Sequence, residues 1–458
     1  MKCLFLVLFL FSLFCVRAKA EEIPALTPFN PDDRVLILSP HPDDESIACA
    51  GVIQEALKAG AKVRVVYLTN GEHNEFAFIV YEKRIPLIKG EFVHLGQVRQ
   101  QEAIKAAGLL GLKKKQLVFL GYPDFGTFAI FSDYWQTKRA FSSFLTHISS
   151  VPYKDLTTYG APYIGENILN DIERVLLYYR PTKIFVSHPA DSNVDHKAFY
   201  LFLRVALADL KKEIPVPAVY PYLVHSAGWP LPRNYHPEFN LEPPSQFLNK
   251  EIDWRKLSLS PEELEKKHQA ILCHKSQTNS SAFYLLSFAR KEELFGDYPQ
   301  VELSGQASLP DKPVSFFGLS RLLPVSRETA QGEDDLTQEQ GQIGYAVTDN
   351  LLLVRLEKPE NLNRRLIFML YLFGYNHKVP FGEMPKIRIV AKGTNLKVFD
   401  KKRLIQDKDI SITMSPNLMV LRVPLRLLGE PDFVLSSLKV FGKALGAGES
   451  GFRYIEIK

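Results

Sequence analysis

Over roughly the first 300 residues the apolar positions fall into two alternating patterns. Short, predominantly apolar runs at 35–38, 63–68, 117–120 and 184–187 show no regular polar face. They predict strands buried on both sides of a sheet. Longer segments at 46–59, 99–110, 164–179 and 197–210 repeat their apolar residues with helical spacing and predict helices. Such alternation predicts an α/β fold: a Rossmann-like, mostly parallel sheet with helices on both faces. Residues 125–162 are rich in aromatics without a clear period and read as an insertion. Proline-rich 215–244 reads as a strand followed by a long loop. Pro261, Glu262 and Glu263 then open a helix through 271, since proline suits the first helical position and acidic residues suit the dipole.

After about residue 300 the helical period disappears. Runs at 351–356, 366–373, 386–391, 410–414, 418–423, 437–440 and 452–457 are short and alternating. They predict an antiparallel β-sandwich. The expected division is a signal peptide at 1–20, an α/β domain at 21–300, a polar linker at 301–335 and the sandwich at 336–458. A chain of 458 residues has room for two such domains.

Composition narrows the partners. The net charge is only +5 and no long basic run occurs, so a nucleic-acid partner is not expected. Lys2, the apolar segment 4–16 and Ala18-Lys19-Ala20 read as a cleavable secretory signal. The apolar segment is shorter than the roughly 20 residues of a comfortable span. The expectation is therefore a secreted or periplasmic chain from Glu21 with no stable membrane span. An uncleaved N-terminal anchor is the alternative. Cleavage leaves two of the four cysteines, Cys49 and Cys273, both in apolar helical contexts. They read as small buried hydrophobes, with a disulfide between them left open.

Candidate chemistry sits at two strand ends. The run 35–38 leads into Ser39-Pro40-His41-Pro42-Asp43-Asp44-Glu45. The run 184–187 leads into His188-Pro189-Ala190-Asp191-Ser192-Asn193-Val194-Asp195-His196. Open α/β sheets build their sites at the carboxyl ends of strands. His41, Asp44 and His196 make a His-Asp-His set with the donor types of a catalytic zinc site. Asp43 is then free to act on water. The bland reading of Asp43-Asp44-Glu45 is a cap and an acidic first turn for the following helix. A second His/Asp motif after a second strand favours the metal site.

These motifs resemble the PIG-L/LmbE-like zinc deacetylases. The family's first signature is matched by His41 to Glu45, and its second by Asp191 to His196. Asn70-Gly71-Glu72, Arg99-x-x-Glu102, Leu120-Gly121-Tyr122-Pro123-Asp124 and His274-Lys275-Ser276-Gln277 match further motifs in order. The resemblance covers about residues 30 to 300. It implies removal of the N-acetyl group from an amino sugar of the N-acetylglucosamine type, with Zn2+ or another divalent metal as cofactor and a sugar or glycan as partner. It implies His41, Asp44 and His196 as metal ligands, Asp43 as general base, and Arg99 and Asp124 as sugar-binding residues. Many members carry a histidine where this chain has Asn193. An amide donates a hydrogen bond but carries no proton. The acid role then passes to His188 or His225, and Asn193 remains a substrate-side donor. Tyr134 and Trp135 serve packing or stack on a sugar ring. A hydrolase of another sugar-linked amide and a non-catalytic carbohydrate-binding protein are the competing classes.

Overall fold

The computed structural model describes residues 22–73, 89–247, 251–305, 314–324, 341–358, 362, 366–442 and 446–458. The signal expected at 1–20 lies outside them. The α/β domain runs β1 (Arg34–Ser39), α1 (Asp44–Lys58), β2 (Lys62–Thr69), α2 (Lys89–Leu109), β3 (Leu117–Tyr122), α3 (Thr127–Asp133), α4 (Gly165–Tyr179), β4 (Lys183–Ser187), α5 (Val194–Asp209), β5 (Ala218–Tyr222), β6 (Asp253–Ser258), α6 (Pro261–Cys273), α7 (Lys275–Leu285) and β7 (Glu292–Asp297). Its sheet is ordered β3-β2-β1-β4-β5-β7-β6. The first five strands in that order are parallel, and β7 and β6 close the edge antiparallel. This is the fold class expected. Strand order reverses between β1 and β4, and a crevice opens at such a switch point.

The predominantly apolar runs are what make β1, β2 and β4 central. Val35, Leu36, Ile37 and Leu38 are at most 1% exposed, because helices cover both sheet faces. The helix opened by Pro261 is capped as its sequence suggests. Ser260 Oγ accepts from Glu263 N at 3.3 Å, while Glu263 Oε2 accepts from Ser260 N at 2.8 Å. The helix expected at 99–110 begins earlier, at Lys89. Cys49 and Cys273 are free and buried.

The second part contains β8 (Val301–Leu303), β9 (Phe317–Arg321), β10 (Leu323–Pro324), β11 (Gln342–Thr348), β12 (Leu351–Glu357), β13 (Ile367–Tyr375), β14 (Lys386–Lys392), β15 (Asn395–Asp400), β16 (Arg403–Ile405), β17 (Ser411–Met414), β18 (Leu418–Pro424), β19 (Phe433–Gly442), β20 (Gly446–Glu449) and β21 (Arg453–Ile457). They form a nine-stranded and a five-stranded sheet. Pairing is antiparallel except that β8 joins β21 in parallel. Residues from both sheets, such as Tyr345, Val354, Leu372 and Ile387, share one core. The described part of the segment expected as a linker supplies β8, β9 and β10. Strands this short show no period of their own and take their register from long-range partners.

The two parts are not beads on a string. One hydrophobic cluster joins Phe131, Trp135, Phe199 and Phe202 of the α/β domain to Phe373, Phe381, Phe433 and Phe452 of the sandwich. Phe131 lies 5.2 Å from Phe373 and Trp135 lies 5.1 Å from Phe381, both edge-on. Aromatic pairs at this spacing add about 0.5–1.5 kcal/mol each beyond area burial. The insertion at 125–162 therefore serves the domain interface. Trp135 is 3% exposed and its indole N–H donates to Phe131 O at 2.7 Å, so it packs rather than facing a ligand.

Candidate metal centre

The turn after β1 is closed by its own carboxylates. Asp44 Oδ2 accepts from His41 N at 2.9 Å, and Glu45 Oε2 accepts from Asp43 N at 3.1 Å. Asp43 sits at φ 135°, outside the regions a non-glycine residue prefers. Its neighbours hold it there. Arg99 donates to Pro42 O at 2.9 Å, Gly71 O at 2.7 Å and Asp43 Oδ2 at 3.2 Å. Gly71 has to be glycine: its φ is +68°, and a Cβ would lie 2.1 Å from Arg99 Nη1.

The reversal of strand order brings the second motif alongside. His196 Nε2 lies 3.2 Å from Asp44 Oδ2, and His41 Nδ1 lies 3.4 Å from the same oxygen. The three donors fall within 4.8 Å of one another. Asp191 holds His196 from behind, with Oδ2 at 3.1 Å from Nδ1. The same oxygen accepts from Val224 N and His225 N, at 3.0 and 2.9 Å. A carboxylate behind a ligating imidazole fixes its tautomer and ring orientation. Asp124 and Asp195 do the same for His41, at 3.1 and 3.3 Å from Nε2. Asp195 is itself fixed by Phe125 N at 2.6 Å and Thr127 N at 3.1 Å.

The charge balance fits a cation. Asp44, Asp124, Asp191 and Asp195 are each at most 5% exposed, with the single guanidinium of Arg99 beside Asp43. The surrounding carboxylates favour protons on the imidazoles. Burial lowers the His196 pKa, but Asp191 and Asp44 outweigh it and raise it to about 9. The His41 imidazole is likewise raised well above its usual range against the pull of burial. Neither His196 ring nitrogen makes a well-aligned hydrogen bond among the described residues. Two imidazoles and one carboxylate are the donor types zinc favours, and a cation there would displace these protons. Burial pushes Asp43 up to about 6, with Arg99 pulling the other way.

The other expected residues divide. His225 is half-buried, with its ring 4.7 Å from that of His196. Burial pushes its pKa down to about 4. Asn193 caps α5, its Oδ1 accepting from Asp195 N at 2.8 Å. His188 stands apart, its ring 5.3 Å from Tyr298 and 6.1 Å from Trp254. It is fully buried, and burial pushes its pKa down to about 3. The supporting roles of Asp191 and Asp195 were not read from the sequence, where they look like two more carboxylates of an acidic loop. His274 Nε2 lies 3.2 Å from Glu45 Oε1, so the late motif braces the first.

An α/β domain with a buried His/Asp cluster at its switch point is the class that fold and site define. Residues 36–207 match the family model "PIG-L: GlcNAc-PI de-N-acetylase", and this part of the chain is a PIG-L-family domain. The 1D-myo-inositol 2-acetamido-2-deoxy-alpha-D-glucopyranoside deacetylase of Mycobacterium sp. strain KMS is 33% identical over 108 residues, 24% of this chain and 33% of that protein. Its counterpart in Nakamurella multipartita is 34% identical over 85 residues, 19% of this chain and 28% of that protein. The chain thus spans a third or less of the length of these relatives. N,N'-diacetylchitobiose deacetylase from Pyrococcus horikoshii is 19% identical with a TM-score of 0.34, covering 54% of this chain and 71% of that one.

Proposed function

We propose that this protein is a zinc-dependent hydrolase that removes the N-acetyl group from an N-acetylated amino sugar in a glycan or glycoconjugate. The observation that carries the reading is the convergence of His41, Asp44 and His196 beside a partly exposed Asp43 that is outside the triad. Zinc held by those three residues would polarise the amide carbonyl and activate water. Asp43 accepts the proton of the attacking water and returns it to the leaving amine. Arg99 keeps that carboxylate aimed and partly charge-balanced. With its lowered pKa, His225 is neutral near pH 7 and donates one N–H to the developing oxyanion. It takes the place of the family histidine, because the Asn193 side chain is engaged in the α5 cap. Arg99 Nε makes no well-aligned hydrogen bond among the described residues, which supports a role toward a sugar hydroxyl. Secretion through the N-terminal signal belongs to the same proposal. No helix among the described residues is long and apolar enough to cross a membrane.

The test is acetate release from a panel of N-acetylated sugars and glycan fragments. Asp43→Asn should keep its metal and lose about a hundredfold or more in turnover, since an amide cannot take the proton. Near-normal turnover in that variant would remove Asp43 from the role. Release of an acid other than acetate would move the protein to amidases of other sugar-linked amides.

A further inference from the structure

Where the α/β domain meets β8, β9 and β11, the surface opens into a groove of about 670 Å3. Arg321 and Arg453 line it together with Glu251 and Glu302, and Gln300 and Gln342 add amides. Arg453 is only 2% exposed, and its Nε has no hydrogen-bond partner among the described residues. Glu251 Oε2 is buried and equally unpartnered. Beside Arg453 stands Tyr298, whose hydroxyl has no hydrogen-bond partner among the described residues and whose ring centre lies 4.4 Å from the Arg453 guanidinium carbon. Native proteins leave few buried polar groups unsatisfied, because each one is costly. A cluster of them drawn from both domains, at the wall of a groove, points to something that binds there.

The chemistry of the walls selects among ligands. Glu302 pairs with Lys458 at 2.5 Å and Gln300 donates to Glu456 at 2.9 Å. Arg321, Arg453 and Lys458 thus face Glu251, Glu302 and Glu456 with no net charge, and the groove favours neither an anion nor a cation. Guanidinium and amide N–H groups beside carboxylate and amide oxygens match hydroxyls, which both donate and accept. Phe317 and Leu319 are 47% and 53% exposed at the lip. They offer an apolar surface of the kind the C–H face of a pyranose ring covers. We propose that this groove is a second ligand site, separate from the metal centre, for a neutral saccharide unit. It would hold a glycan chain by contacts that do not depend on catalysis.

The test uses the full chain as purified, with cellotriose, maltotriose and triacetylchitotriose as probes, by calorimetric titration and saturation-transfer NMR. At least one trisaccharide should bind. Phe317→Ala and Gln342→Ala should each weaken binding by about tenfold or more, as loss of a central contact does. Both side chains are exposed, and a melting curve checks that the variants fold. His196→Ala should retain the groove binding, which separates this site from the metal centre. Absence of binding by all three probes would overturn the proposal. So would affinities that are unchanged in both groove variants, or lost only in His196→Ala. None of these outcomes depends on whether acetate is released.

Discussion

At the scale of single residues, the candidate centre depends on carboxylates outside the His41, Asp44 and His196 triad that orient its imidazoles. Asp191 is the clearest. One of its oxygens meets His196 Nδ1 and also caps two backbone N–H groups of the 224–225 segment. Asp191→Asn keeps the shape but removes the negative charge behind the imidazole. Metal affinity should fall about 10–100-fold, the usual loss for such partners. Competition with a chromophoric chelator measures it. An unchanged affinity would mean that His196 is held by packing alone. The ligand triad was legible from strand ends and spacing. The supporting acids were not, because nothing local distinguishes Asp191 or Asp195 from a solvated loop carboxylate. Only their neighbours, at long range, give them their roles. His188 shows the same limit in reverse. It shares the strand-end context of His41, yet its ring turns into an aromatic box.

At the scale of elements, β1 and β4 are held in register at their entry ends by a buried ion pair. Lys183 Nζ lies 2.6 Å from Asp33 Oδ2, with both side chains less than 10% exposed. Burial raises the Asp33 pKa, but hydrogen bonds from Lys183 and Thr182 outweigh it and hold the carboxyl below its usual range. A carboxylate depressed in the folded state adds stability above its unfolded value of about 3.9. That contribution disappears as pH falls through the folded value. Asp33→Asn should therefore lower stability at pH 7, with the gap to the parent closing as pH falls below about 4. Urea unfolding from pH 7 to pH 3 would show it. A gap that stays constant with pH would assign the loss to packing. The strand runs themselves were readable because strands buried on both faces must be continuously apolar. Strands β6 and β7 were not: β6 is the half-exposed edge, and β7 is buried but carries Glu292 and Glu293, which break its apolar pattern.

At the scale of the molecule, the sandwich is built into the α/β domain. Beyond the aromatic cluster, Lys197 pairs with Glu449 at 2.6 Å, and Phe452 N donates to Pro189 O at 3.0 Å. Lys197 follows the ligand His196 directly, and Pro189 lies in the loop that carries Asp191. A chain ending near residue 310 would expose the faces of Phe131, Trp135 and Phe202, and would leave Lys197 buried without its partner. Large uncovered apolar patches associate. Such a truncation should aggregate or express as insoluble protein, as size-exclusion chromatography would show. A monodisperse, folded truncation with its full metal content would contradict this structural role.

The sequence alone determined the α/β class, the sandwich, and the motifs that resemble a family. Each rests on local periodicity or on residue types at a strand end, which the chain displays without folding. Tertiary structure decided the strand order that brings His196 to Asp44, and the aromatic interface that absorbs the insertion at 125–162. It also decided the joining of 301–303 to the last strand, and the polar groove between the domains. These depend on pairings between residues far apart in the chain. Local pattern carries no record of them, because it reports only which faces are buried and not what buries them.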